Sequence, residues 1–437
     1  MKKLMKTLFL VWAALLAPMF MDAQSRPNLD ESAKKLEAKV IAWRRDLHEH
    51  PELGNREFRT AEIIAKHLKS LGLEVRTGVA HTGVVGILRG GKPGPVVALR
   101  ADMDALPVTE RVDIPFASKE KAVYNGQDVG VMHACGHDAH VAILMGTAEL
   151  LANMKKDIKG TIIFIFQPAE EGPPAGEEGG AQLMLKEGLF KDPKPEVVFG
   201  LHMSSDLEVG KIRYKAGGTM AASDYLNIKV KGKQTHGSRP WSGVDPIVVS
   251  SQIIMGLQTI ISRQTDISKE PAVISIGKIN SGVRQNIIPE EAEMIGTIRT
   301  LDTTMQQEIH ERIRKTATSI AESAGATAEV TIKRGYPVTY NNPALTKAML
   351  PSLFKAAGEE NVLVMKAMTG AEDFSFYAQE VPGLFFFLGG MPKGTDPLDA
   401  APHHTPDFYI DEGGFVLGMK SMCQLTLDYM DGVKLVP

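Results

Sequence analysis

The sequence predicts an α/β fold, a doubly wound catalytic domain with a mixed sheet, interrupted by an α+β domain of the ferredoxin-like type. Three observations lead there. Short apolar runs, rich in β-branched and aromatic residues and bounded by Gly and Pro, alternate with helical stretches as far as Gly218 and resume from about Asn341. Between those points the pattern changes to half-solvated strands in the order β-α-β-β-α-β. At 437 residues the chain is also too long for one ordinary core.

The elements follow in order. Met1 to Lys6 is basic, Thr7 to Met21 is mostly apolar, and Ala23-Gln24 offers a cleavage point, so residues 1–23 read as an export signal. The apolar stretch is shorter than the roughly 20 residues a spanning helix needs, which favours removal over a stable membrane anchor. No Cys lies near the cleavage point, which excludes a lipid anchor there. An exported protein, periplasmic or secreted, is expected. A helix over Ser32–His50 is stopped by Pro51, and a second over Thr60–Leu71 is closed by Gly72. Strands are expected at Gly83–Leu88, Val96–Arg100, Thr161–Phe166 and Val197–Gly200, each an apolar run suited to burial on both faces. A long apolar helix covers Val141–Met154. Asp224–Lys231 alternates polar with apolar, as a half-solvated strand does. After it come helix Asp245–Arg263, strands Ala272–Lys278 and Glu291–Arg299, helix Thr303–Ala324 and strand Thr327–Lys333. Leu384–Leu388 is a further buried strand. Residues 28–218 and 335–437 are thus expected to form one domain, and 219–334 another.

Composition excludes several functions. Hydrophobic residues at 43% and charged residues at 23% are a normal globular balance. A net charge of −3, with no long basic run, gives no reason to expect nucleic acid or an anionic membrane as partner. An oxidising compartment offers Cys135 a disulfide with Cys423. Cys423 falls in an amphipathic segment, Phe415–Met430, and reads as a core residue. The neighbours of Cys135 point to a metal instead.

Those neighbours are His133-Ala-Cys-Gly-His-Asp-Ala-His140. A thiol two residues before an imidazole is a weak signal by itself, although both are good ligands for a borderline-soft divalent ion. What strengthens it is the setting of other groups. Val96–Arg100 runs into Asp102 and Asp104, Thr161–Phe166 into Glu170 and Glu171, Val197–Gly200 into His202, and a C-terminal loop carries His403 and His404. Open α/β sheets bind ligands outside the carboxyl ends of their strands. Cys135, His137, Glu171, His202 and His404 are too many for one tetrahedral site and suit two ions sharing ligands. Glu170, beside Glu171, is then the general base not tied to metal. Asp102 and Asp104 read as outer carboxylates that orient an imidazole.

These residues carry a resemblance. Arg44–Leu53, Leu99–Pro107, His133–His140, Gln167–Gly172, Gly200–His202, Gly370–Phe374 and His404–Pro406 are similar to motifs of the metal-dependent amidohydrolase branch of the aminoacylase and carboxypeptidase superfamily, the group with hippurate hydrolase and the indole-acetyl-amino-acid hydrolases. The resemblance spans nearly the whole mature chain. It implies a catalytic domain with two divalent metal ions per subunit and a smaller lid or dimerisation domain, hence a homodimer. Cys135, His137, Glu171, His202 and His404 match the ligands and Glu170 the base; His404 is preferred to His403 for its place before Thr-Pro. Mn2+ or Zn2+ is expected, and the mixed donors also admit Co2+ or Ni2+. In Gly232–Pro240, His236 matches a residue that helps hold the developing oxyanion. Asn286 and Arg299 match substrate-contacting positions, Arg299 as a fork for a carboxylate. Glu372 and Asp373 read as loop-ordering acids, and His48 and His50 as structural. The implied reaction is hydrolysis of the amide of a small N-acyl or aryl-acyl amino acid, or of a short peptide if the chain is a dipeptidase or metallocarboxypeptidase. A metal-binding protein without activity is the third reading; the presence of Glu170 beside a full ligand set argues against it.

Overall fold

The computed structural model describes residues 28–433, so the export signal expected at 1–23 lies outside the described residues. An eight-stranded mixed sheet dominates it. Its strands run in the order Glu74–Val79, Gly83–Arg89, Lys159–Gln167, Lys92–Asp102, Val197–Glu208, Gly383–Met391, Ile212–Tyr214 and Val362–Val364. The four central strands, from Lys159–Gln167 to Gly383–Met391, are mutually parallel. Both faces are covered, which is why these strands read as unbroken apolar runs. Leu99, Phe164, Phe199 and Phe386 enter one core, with helices Leu29–Glu49, His137–Asn153, Pro343–Ala357 and Phe415–Met430. Ala98, Ile163, Val198 and Phe385 face the other way, towards Gly180–Lys186 and Phe374–Glu380. The arrangement is the doubly wound one that the alternation of strands and helices predicts.

A second, four-stranded antiparallel sheet lies in the chain between Ala222 and Arg334. Its order is Ala272–Ser281, Glu291–Thr300, Ala222–Lys231, Thr327–Arg334. Leu226, Ile228 and Val230 alternate inwards against helices Pro246–Thr259 and Thr303–Ser323. Each helix starts where an acid caps it. Asp245 accepts from the amides of Ile247 and Val248, and Asp302 from that of Met305. The expected helix to Arg263 ends its α-helical part at Thr259 and continues as a π-turn over Ile260–Gln264. Gly217–Met220 and Thr339–Asn341 pair as a short ribbon where the chain enters and leaves this unit.

Two differences from the sequence reading matter. Strand Val197–Glu208 runs well past Gly200, so His202 sits inside a strand rather than after one. Gly200 lies mid-strand because a Cβ there would stand 2.9 Å from both Phe374 and Phe385. Both edge strands escape detection, Glu74–Val79 because it is largely exposed and mixed in polarity, Val362–Val364 because it is only three residues long. Among the described residues no helix is long and apolar enough to cross a membrane.

Candidate metal centre

The carboxyl ends of the central strands meet the start of helix His137–Asn153. Gly136, with φ +94°, turns the chain sharply between Cys135 and His137, so that both side chains face the same point. Ala169 (φ +51°) does the same before Glu170, its amide held by Glu57 Oε1 at 2.9 Å. His404 is also left-handed (φ +64°), and its amide donates to the Ala134 carbonyl at 2.8 Å, which ties the C-terminal loop to the Cys135 loop.

All five expected ligand residues converge. Cys135 Sγ lies 3.5 Å from His202 Nε2 and 3.3 Å from His404 Nε2. Glu171 Oε1 is 3.0 Å from His404 Nε2 and 3.9 Å from His137 Nε2. Two triads of donor atoms, Cys135–His137–His202 and Cys135–Glu171–His404, share the thiol. The far sides of the His137 and His202 imidazoles are already engaged. His137 Nδ1 is 3.2 Å from Asp104 Oδ1, and His202 Nδ1 is 2.6 Å from the Met203 carbonyl. Those acceptors hold a ring proton on Nδ1 and turn Nε2 towards the centre. His137 Nε2 is buried with no hydrogen-bond partner. An orphaned imidazole nitrogen among thiol, carboxylate and imidazole donors fits a borderline-soft divalent cation.

The remaining acids divide by what they touch. Asp104 orients His137 and also accepts from the Glu171 amide at 2.9 Å. Asp102 corrects the expectation in one respect. The imidazole it holds closely, at 2.5 Å, is that of His140, which is outside the candidate set. His140 Nε2 accepts from the Met203 amide at 2.7 Å, so both its nitrogens are used and it acts as a strut. Glu372 and Asp373 do more than order a loop. With Asp102 they surround the fully buried Arg100, at 2.9, 2.8 and 2.7 Å. The sequence reading missed Arg100, although a charged residue inside an otherwise apolar strand was a visible signal. His48 is structural as expected, buried between Asp138 (2.7 Å) and Glu110 (3.1 Å), while His50 caps the first helix. Both cysteines are free and buried.

Electrostatics separates the groups further. Burial alone would lower His137; Asp102 and Asp104 outweigh it and raise the imidazole to about 10. Burial, then the carboxylates of Glu171 and Glu170, hold the Cys135 thiol well above its usual range, a preference that a bound cation inverts. Burial pushes His202 well down, and His403 down to about 4.

Among the described residues no hydrogen bond or ion pair joins the three expected residues of the second unit to this cluster. His236 is exposed, its Nδ1 accepting from the Ser238 amide at 3.0 Å. Asn286 joins it, the Asn286 carbonyl accepting from the Gly237 amide at 2.8 Å. Both flank a cleft of about 650 Å3 lined by Pro240, Ile247, Val283 and Arg284. Arg299 lies on another strand, half-buried, opposite Ser223 and Val273.

A thiolate, imidazole and carboxylate centre at the carboxyl ends of a doubly wound sheet, with a spare buried carboxylate beside it, defines a metal-dependent hydrolase. Residues 98–428 match the model of peptidase family M20/M25/M40, and the chain belongs to that family. It is 42% identical over 404 residues to thermostable carboxypeptidase 2 of Saccharolobus solfataricus, covering 92% of this chain and 98% of that protein. It is 37% identical over 402 residues to N-acetylcysteine deacetylase of Bacillus subtilis, covering 92% and 99%. Among solved structures it resembles the Bacillus subtilis YxeP protein, a dinuclear metal binding peptidase from the M20 family, with TM-score 0.77, 35% identity and coverage of 92% and 99%. The protein is accordingly a hydrolase of amide bonds.

Proposed function

We propose that the protein hydrolyses the amide of N-acyl or aryl-acyl amino acids, releasing a carboxylic acid and a free amino acid, with two divalent ions held by Cys135, His137, Glu171, His202 and His404. The observation that carries this is the pair of donor triads sharing Cys135, with Glu170 buried beside them. Mn2+ or Zn2+ suits these donors, and Co2+ or Ni2+ is compatible. When bound, such a pair supplies Lewis-acid charge for the amide carbonyl and for activating water.

The side chains do the rest. Glu170 Oε1 accepts weakly from the Asp373 amide at 3.4 Å, and Oε2 lies 3.9 Å from His137 Nε2. Burial and then the acids Glu372 and Glu171 raise its affinity for a proton. A carboxylate so placed takes a proton from water and returns it to the leaving amine. Asp104 and Asp102 keep the imidazoles in register. His236 is the oxyanion donor, and Asn286 and Arg299 bind the amino-acid portion, Arg299 through its carboxylate.

Because His236 and Asn286 stand away from the cluster of their own chain, we assign them to the site of a second protomer. Strand Ala272–Ser281 supports this homodimer, since it is an open sheet edge with Val273 and Ile279 exposed. Beside it, helix Pro246–Thr259 exposes Val248 and Met255. Residues 219–334 are thus both lid and dimerisation domain, and the export reading places the enzyme in the periplasm or outside the cell. Likeness to a carboxypeptidase keeps a second reading open, cleavage of short peptides. One experiment separates the two. Chelated protein is given each metal and offered N-acetyl, N-benzoyl and indole-acetyl amino acids beside plain dipeptides. Metal-restored cleavage of the blocked amino acids is expected; preference for dipeptides moves the protein to the peptidase reading, and no cleavage with two ions bound defeats both.

A further inference from the structure

We propose that His403 is a positioning residue for the thiolate, giving an Nδ1–H···S hydrogen bond to Cys135 rather than a bond to metal. The inference rests on the metal-centre reading above. Two adjacent histidines approach the same sulfur through different nitrogens. His404 brings Nε2, which also faces Glu171, to 3.3 Å from Sγ. His403 has its Nε2 3.3 Å from the Ser205 amide, which has only a proton to offer, so that nitrogen presents its lone pair. The proton of the neutral ring is therefore on Nδ1, and Nδ1 lies 3.7 Å from Cys135 Sγ.

The ring is held in that sense. It packs against Phe408 with centroids 4.7 Å apart and against His202 at 5.3 Å. The Ser205 hydroxyl donates to the Ala401 carbonyl at 2.9 Å, fixing the strand to the loop that carries His403. A protonated Nδ1 has no lone pair to give a cation. It does have a donor for the one sulfur lone pair not directed at the ligand triads. Such a bond lowers the energy of the sulfur electrons and moderates their donation to metal.

The test reads the sulfur directly and needs no substrate. Co2+ is added to chelated protein, and the near-ultraviolet sulfur-to-cobalt charge-transfer band is recorded with the number of ions bound. His403→Gln places its amide at the Nε2 end, where it can still serve Ser205 but cannot donate to sulfur. His403→Asn places an amide N–H where Nδ1–H was. The band is expected to move to lower energy in His403→Gln and to stay near the parent position in His403→Asn, both binding two ions as the parent does. A polar residue stands at the position in both, so each is a check on the other's folding. An unmoved band in His403→Gln, or loss of a bound ion in either variant, would overturn the assignment; the latter would make His403 a ligand. If the parent shows no band that Cys135→Ser removes, the thiolate centre itself is wrong. That outcome stands apart from any failure confined to His403.

Discussion

Glu170 and Glu171 are consecutive residues with opposite electrostatic fates. Burial would raise both. For Glu171 the hydrogen bond with His404 and the charge of His137 outweigh it and hold the carboxyl low, while for Glu170 the nearby acids, Glu372 and Glu171 first, add to burial and it stays high. That divergence was legible in part, because two adjacent acids in the turn after a buried strand point different ways. What the sequence could not give was the third dimension around them, above all the Arg100 cluster behind. Glu170→Gln keeps the shape and removes the base, so turnover should fall by about 10²-fold or more with metal content unchanged in elemental analysis. Retained activity would refute the base assignment. Cys135 is protected when metal is absent. Burial and the neighbouring carboxylates keep it a thiol, and oxidation needs an accessible thiolate. Metal-free protein aged in air should therefore be reactivated by added metal without reductant. A need for reductant would dismiss the idea.

At the scale of elements, the parallel strands explain what was legible. Val96–Arg100 and Thr161–Phe166 could be found because both their faces are buried. Glu74–Val79 could not, because an exposed edge leaves no apolar signature. Arg100 near the end of its strand binds three carboxylates, and its removal leaves them uncompensated in the core. Arg100→Met should cost on the order of 3–5 kcal/mol in chemical denaturation. A loss below 1 kcal/mol, about what an exposed pair contributes, would mean that the acids take up protons without penalty. The turn at Gly136 is subject to a different constraint. Its φ of +94° and the Met203 Cβ, 3.1 Å from where its own Cβ would be, oppose any side chain. Gly136→Ala should therefore weaken metal retention in equilibrium dialysis while the far-ultraviolet dichroism stays that of the parent.

For the whole molecule, the interruption of the α/β pattern at Gly218 was readable because the hydrophobic period changes there. Where the lid residues act was not, since among the described residues His236 and Asn286 make no hydrogen bond to the metal cluster. Mixing Glu170→Gln with His236→Ala should restore part of the activity that each lacks alone, because one mixed-dimer site then keeps both residues. No recovery after subunit exchange would confine each site to one protomer. Global stability carries a separate mark of pH. Burial, and after it the Asp104 carboxylate, raises Glu57 from 4.5 to about 8. The folded state therefore binds the extra proton between those values, and the contribution is full below about 4.5 and lost as pH rises through about 8. The melting temperature of chelated protein should fall over that window, and less steeply in Glu57→Gln. Equal slopes would remove Glu57 as the cause.

The central sheet also has a history. Strand Val197–Glu208 lies beside Gly383–Met391, with His202 opposite Phe387, yet the entire four-stranded unit is threaded between them in the chain. A growing polypeptide thus completes its inserted unit while the main sheet still lacks two strands, Val362–Val364 and Gly383–Met391. The loop bearing His404 follows later still. The triad that includes His404 must therefore be completed among the last events of maturation, and a chain cut short after the insertion would lack it.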